Sequence, residues 1–301
     1  MYWNGLSDHL KAQYGAKVYK LALSSGCTCP NRDGTLGSRG CIFCDGSGAF
    51  AQAGDIRGQM AAARARVSAK AGKDALYIAY FQSFTNTYGA IPRLRELYFA
   101  AMEPEDVVAV SVATRPDCLG AEVMELLMEL NRHKPVWVEL GLQTIHPATA
   151  AYIRRGYGLA VYDAAVARLK AAGMQVVVHQ ILGLPGEDRR MMAQTARYIG
   201  SSGADGIKFH LLHVLRGTDL AEKWQAGEVE VLSLEAYIAA LEDCVRSLPR
   251  SVVIHRLTGD GAKRDLLSPL WSGDKKRVLG AIHAAFLRDD VEQGSALRKG
   301  H

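Results

Sequence analysis

No stretch of the 301 residues approaches the roughly 20 consecutive apolar residues that a bilayer span requires. The first residues, MYWNGLSDHLKAQYGAK, hold no apolar run of signal-peptide length. A cytoplasmic protein with no membrane segment is therefore expected. No low-complexity segment, charge block or linker-like composition interrupts the chain. A single domain over 1–301 is expected, with a core over about 15–255 and a C-terminal extension over about 256–301. Cysteine is scarce, and its distribution is uneven: of six, Cys27, Cys29, Cys41 and Cys44 fall within CTCPNRDGTLGSRGCIFC, residues 27–44. Disulfides are rare in a reducing cytosol, so a tight cluster there points to metal binding or redox chemistry. Cys118 and Cys244 lie far from the cluster and read as ordinary buried thiols.

What is present is an ordinary folding composition. Hydrophobic residues make up 49% and charged residues 22%, which excludes a disordered chain, and the length suffices for one barrel-sized core. The net charge of +5 permits a polyanionic partner without demanding one. Basic residues recur at Arg154-Arg155, Arg189-Arg190, Lys263-Arg264 and Lys275-Lys276-Arg277, which solvated helix faces would also explain.

Seven short Val/Ile-rich runs read as strands: 18–24, 76–81, 107–113, 136–142, 175–181, 206–212 and 251–257. Their continuous apolar character suits a parallel sheet covered on both faces. Helical-period segments lie between them, among them AEVMELLMELNR and VYDAAVARLKAAG, and Ser233 stands where an N-cap would precede LEAYIAALEDCVRSL. Repeated βα units of this length predict an α/β fold, either a barrel or a doubly wound sheet. Each strand runs into a polar cluster: SSGCTCPNRDG, QSFTNTYG, TRPDC, Glu139 with Gln143, His179 with GLPGE, His210 with His213 and Arg216, and HRLTGD. In a barrel these positions converge on the C-terminal face, where βα loops build active sites.

Within the cysteine stretch, Cys41-Ile42-Phe43-Cys44 puts two thiols within reach of one metal centre. Pro30 biases Cys29 toward extended backbone, and eleven turn-prone residues then lead back to Cys41. Spacing alone leaves two readings open. Four cysteines would suit zinc, although Cys27-x-Cys29 is tight for a zinc knuckle. Three cysteines would suit an iron–sulfur cluster with one iron left open.

Together with YFQSFTNTYG, TRPDC, VELGLQT…RRGY, HQILGLPGE and HRLTGD, the stretch resembles the cluster loop of the radical S-adenosylmethionine (SAM) superfamily. The ordered set, over about residues 15–280, is similar to the YhcC/YtqA-type family, related to the Elongator catalytic subunit and the oxygen-independent coproporphyrinogen oxidases. Phe43 stands where the family has an aromatic residue before its third cysteine. The spacing here is C-x11-C-x2-C where the common form is C-x3-C-x2-C. The resemblance implies a partial (β/α)6 TIM-like barrel and a [4Fe-4S] cluster on Cys29, Cys41 and Cys44. The open iron of such a cluster chelates SAM, whose reductive cleavage yields a 5′-deoxyadenosyl radical. Cys27 becomes a bystander. A reducing partner such as flavodoxin or ferredoxin is implied as well.

The other site residues follow from the same resemblance. The family's Gly-Gly-Glu-like motif is replaced here by Gln82-Ser83-Phe84-Thr85-Asn86-Thr87, of which Thr85 and Asn86 are SAM-side candidates and Gln82 a substrate-side one. Glu139, Gln143 and Arg155 are further SAM-side candidates; an Arg fork suits a carboxylate. His179 and Gly183 belong to a segment similar to the one that packs on adenine. Arg115, His210, Arg216, His255 and Asp260 are substrate-side candidates, and Arg115 has an alternative ion pair with Asp117 or Glu139. Kinship with the Elongator subunit implies tRNA as substrate, at a wobble uridine carrying a 5-carboxymethylaminomethyl-type side chain. No acetyltransferase-like segment follows the barrel region, so the Elongator acetyl chemistry is not expected to carry over. A small metabolite or tetrapyrrole intermediate is the rival substrate. A non-catalytic zinc-binding RNA module is the rival of another class.

Overall fold

The computed structural model describes residues 2–46, 54–72, 74–259 and 264–298. The strands are β1 (Val18–Leu23), β2 (Leu76–Phe81), β3 (Val107–Thr114), β4 (Val136–Gln143), β5 (Gln175–Leu182), β6 (Gly206–Leu211), β7 (Val214–Leu215), β8 (Val253–Arg256) and β9 (Leu266–Ser268). The helices are α1 (Leu6–Tyr14), α2 (Ile56–Val67), α3 (Ile91–Met102), α4 (Ala121–His133), α5 (Pro147–Tyr152), α6 (Leu159–Ala171), α7 (Arg189–Ser201), α8 (Asp219–Gln225), α9 (Leu234–Arg246) and α10 (Lys275–Arg288).

All seven runs marked in the sequence are strands of one parallel sheet, ordered β1-β2-β3-β4-β5-β6-β8. Six βα units build it and β8 adds a seventh strand beside β6. β1 and β8 remain as edges, so the sheet curls into a half-barrel without closing. Parallel pairing forces each connection to cross over, and helices lie in those crossovers. Val107, Val110, Val136, Val138, Val176 and Val178 are fully buried, as strands covered on both faces require. The helix starts obey local chemistry. Asp55, Asp188, Ser233 and Asp274 each accept a backbone N–H of the first turn. One hydrophobic cluster runs from Leu21 on β1 to Val278, Ile282 and Phe286 on α10.

The antiparallel pair β7–β9 stands apart from the main sheet. The short β7 follows β6 too closely to be told from it by hydropathy. Among the described residues, no helix is long and apolar enough to cross a membrane.

Candidate active site at the mouth of the half-barrel

A cavity of about 220 Å³ opens at the C-terminal ends of β2 to β5. Cys29, Cys41, Phe43 and Cys44 of the cysteine loop line one side; Gln82, Phe84, Thr85, Arg115, Glu139, Gln143, Arg155 and His179 line the rest. Cys27 is absent from the lining. Its sulfur lies against Gly89, so close that a Cβ there would sit 2.9 Å from it. Cys27 packs with the main core instead. Cys29, two residues on, lines the cavity, so the two neighbouring thiols have different surroundings.

The loop carrying the three thiols is closed on itself. Arg32 and Asp33 donate backbone N–H groups to the Cys29 carbonyl, and Gly40 donates to Asn31 at 2.7 Å. Ile42 then ties the loop to Ile153 and α8, donating to Ile153 at 3.3 Å and accepting from Leu220 at 2.9 Å. Burial, reinforced by the neighbouring Cys44 sulfur, pushes the Cys41 thiol up to about 11. Such a site disfavours a bare thiolate and would hold one only beside added positive charge. Among the described residues no three His, Cys, Asp or Glu side chains form a closed cage for a single ion.

Beneath the cavity lies the buried carboxylate of Glu139. It accepts from Lys20 Nζ at 2.9 Å, Ser111 Oγ at 2.7 Å and His179 Nε2 at 2.7 Å, and also from Lys208 Nζ. Burial alone would raise its pKa, but the two lysines and His179 outweigh this and hold it well below the usual carboxylate range. Burial drives Lys208 well below the usual ammonium range, against the pull of Glu139, and Lys208 also reaches Tyr80 Oη at 3.0 Å. His179 is lowered to about 4 by burial, despite its bond to Glu139. The His210 ring stacks on His179 with centroids 4.9 Å apart.

Gln143 owes its direction to a break in register between β4 and β5 at Gly141/Gln143. Its φ is +63°, sparsely populated for a side-chain-bearing residue, and its amide folds back over Gly141. A Cβ on Gly141 would lie 2.7 Å from Gln143 Nε2, so only glycine permits this pose. Irregularities of this kind re-aim side chains beside active sites. Phe84, at φ +60°, lines the same cavity. Gln82 Nε2 is buried with no hydrogen-bond partner, an unmet donor on a cavity-lining residue.

Several expectations change on contact with the fold. Arg155 lines the cavity, yet its guanidinium does not present a fork. Nε and Nη2 donate to the Tyr157 carbonyl, and Nη1 donates to those of Leu142 and Thr144. Four of its five donors thus hold backbone. Arg115 takes the alternative ion pair: it binds Asp117 through Nε at 2.9 Å and Nη2 at 2.7 Å, and donates to the Arg155 carbonyl at 2.9 Å. Tyr157 packs against both, 5.0 Å from Arg115 and 4.7 Å from Arg155. Asn86 is fully buried and outside the lining, its amide spent on Phe81, Ala113 and Ser25. Gly183 has φ +85°, but what approaches it is the side chain of Leu232. His210 and His255 are turned into the sheet interior, His255 against Trp137, and neither lines the cavity. Arg216 is likewise outside it, its backbone N–H bonded to Asp265. Asp260 lies outside the described residues. Of the basic pairs, Arg154 is held by Asp219, Arg189 by Asp243 and Arg264 by Asp265. Cys244 is buried as expected, whereas Cys118 is half-exposed.

Two loop residues were missed by sequence reading. Asn31 and Arg32 sit in the spacer between ligand candidates, where polar residues read as turn formers. Only the closure of the loop turns Asn31 toward Cys41 and Arg32 into the cavity wall.

Residues 29–199 match the radical SAM superfamily and residues 204–288 match the radical SAM C-terminal domain. The chain is 43% identical to YtqA of Bacillus subtilis (strain 168), over 99% of this chain and 93% of that protein. It is 36% identical to YhcC of Escherichia coli (strain K12), over 98% and 95%. Similarity at 29% identity extends to the tRNA uridine(34) acetyltransferase of Methanocaldococcus jannaschii, over 58% of this chain and 32% of that one. Among solved structures, Elp3 of Methanocaldococcus infernus superposes with a TM-score of 0.71 at 18% identity, over 92% of this chain and 64% of that one.

Two outcomes follow from the Glu139 network. Glu139→Gln strips a countercharge from Lys20 and Lys208 and is expected to cost about 3–5 kcal/mol, read from urea unfolding; adding Lys208→Met should recover much of it. Equal stability of Glu139→Gln and the parent protein would contradict this. His179, lowered to about 4 by burial from an ordinary value of 6.5, is neutral when folded and binds a proton more readily when unfolded. Burial likewise holds His210 and His255 well below 6.5. The unfolded chain therefore takes up more protons below about pH 6.5, and stability should fall as pH drops from there toward 4. His210→Gln should flatten that slope in unfolding midpoints measured across the range.

Proposed function

This chain belongs to the radical SAM superfamily, and from that membership we propose that its cavity generates a radical directed at a uridine of tRNA. It is a radical SAM enzyme, and its cofactors are a [4Fe-4S] cluster and SAM. When bound, these supply a 5′-deoxyadenosyl radical that removes a hydrogen atom from substrate.

The observation that carries the site assignment is that one cavity collects three of four loop cysteines with the ends of four consecutive strands. Cys29, Cys41 and Cys44 are the cluster ligands in this reading. Their environment fits the group, since burial holds Cys41 as a thiol unless iron supplies the missing positive charge. Phe43 packs beneath the loop against a small apolar cluster that includes Val214 and Leu220, keeping water from that side.

On the SAM side, Thr85 offers a hydroxyl and Gln143 is held over the cavity by its strained backbone, while Gln82 offers an unpartnered amide donor to the substrate. His179 donates to Glu139 at the floor of the cavity and is the candidate for contact with the ribose of SAM. Arg155 and Arg115 serve as positioning residues, because their donors brace the wall formed by residues 142–157. The substrate assignment draws support from the relatives that act on tRNA uridine 34, and a net charge of +5 suits a phosphate backbone.

Anaerobically reconstituted protein is expected to bind iron and sulfide and, once reduced with SAM present, to release 5′-deoxyadenosine. Cys29→Ala, Cys41→Ala and Cys44→Ala should each lose most of the iron, while Cys27→Ala keeps it. Iron loss in Cys27→Ala, with retention in Cys29→Ala, would reverse the ligand assignment. For the substrate, nucleosides from tRNA of a strain lacking this protein should show a changed wobble uridine that returns on complementation. An unchanged nucleoside profile would remove tRNA from the reading.

A further inference from the structure

The spacer between Cys29 and Cys41 is where this chain departs from the common three-residue form, and its side chains are not idle. Asn31 is 5% exposed. Its amide Nδ2 donates to the Arg154 carbonyl at 2.7 Å and lies 3.4 Å from that of Arg155 and 3.5 Å from Cys41 Sγ. Its Oδ1 rests on Gly156, where a Cβ would come within 2.9 Å. Gly156 has φ +84°, so both the bare surface and the backbone turn demand glycine there. One side chain therefore joins the cysteine loop to the segment that carries Arg155.

Arg32 crosses the loop the other way. A Cβ on Gly40 would lie 2.9 Å from its Nε, and one on Gly46 would lie 2.9 Å from its Nη1. Both glycines have positive φ, 74° and 75°. The guanidinium is thus sandwiched between two glycine surfaces, donates to the Cys44 carbonyl and lines the cavity with the three thiols.

We propose that this spacer is a clamp that sets the reduction potential of the cluster, with Asn31 donating a hydrogen bond to the Cys41 sulfur and Arg32 holding a fixed cation beside Cys29 and Cys44. It rests on the reading of Cys29, Cys41 and Cys44 as ligands. Hydrogen bonds to ligand sulfurs and nearby positive charge both favour the more negative, reduced cluster and so raise its potential. Arg32 is always charged, so its contribution does not vary with pH. Both residues are positioning residues: they act on the ligands and not on substrate.

The test is a redox titration of the reconstituted holoprotein, followed by the electron paramagnetic resonance signal of the reduced cluster. The variants are Asn31→Ala, Arg32→Gln, Arg32→Lys and the spacer control Ser38→Ala, an exposed position. At the wild-type midpoint, Arg32→Gln is expected to lower the reduced-to-oxidised ratio about tenfold, equivalent for one electron to about 59 mV. Asn31→Ala should shift the same way, Arg32→Lys should recover most of the Arg32 effect, and Ser38→Ala should match wild type. Iron content and apo-protein melting temperature are measured alongside. Loss of iron at an unchanged melting temperature in Asn31→Ala or Arg32→Gln shows that the side chain holds the ligands in place without showing any hold on the potential, and overturns the clamp as stated. Loss of iron with a lowered melting temperature makes the role merely structural and overturns it. A wild-type cluster whose potential neither variant moves overturns the clamp alone. Wild-type protein that takes up no cluster overturns the ligand assignment and the clamp together.

Discussion

The carboxylate of Glu139 ties together more of this fold than any hydrophobic pair. It stands on β4 and receives Lys20 from β1, Ser111 from β3, His179 from β5 and Lys208 from β6, while Lys208 reaches Tyr80 on β2. Six strands of the curled sheet are thereby joined through one buried charge. Removing that charge from water is costly, and only several charge-assisted bonds converging on it can offset the cost. The arrangement needs the sheet to curl, since β1 and β6 are separated by four strands in the sheet order and meet Glu139 only across the interior.

Above that floor, the cavity is shaped by residues that hold backbone as much as by residues that face a ligand. Arg155 and Arg115 brace the wall between β4 and α6 with Tyr157 between them. Asn31 reaches the same wall from the cysteine loop. Gln143 and Phe84, both at positive φ, show where the backbone is strained, and strain of this kind persists only where surrounding contacts over-determine it. The long spacer is compatible with a rigid loop because its hydrogen bonds close back on Cys29, Pro30 and Asn31. Length by itself adds little closure entropy.

The strands were legible because their signal is local. A buried parallel strand is rich in apolar residues on both faces, and the seven runs are Val-, Ile- and Leu-rich even where Lys20, Glu139, His179 or Lys208 interrupts them. The cysteine loop was legible for another reason: short spacings such as Cys41-x-x-Cys44 impose proximity on the thiols whatever the rest of the chain does. Polar residues within or just beyond the C-terminal halves of the strands were also readable as mouth residues, and Gln82, Thr85, Arg115, Glu139, Gln143 and His179 do line the cavity. Asn86, Gly183, His210, Arg216 and His255 carried the same kind of signal and do not line it, because type and position along a strand leave side-chain direction open.

By itself, then, the sequence determined the α/β class, the order of the strands along the chain, the loop that gathers the thiols and the family to which they belong. Tertiary structure alone decided that Cys27 turns to Gly89 and the core, that the Arg155 guanidinium is consumed by three carbonyls, and that Asn31 and Arg32 close over the thiols. Hydrophobic period and ligand spacing are properties of neighbouring residues. The partner of an arginine or an amide depends on where a distant carbonyl comes to rest, which only the packed chain specifies.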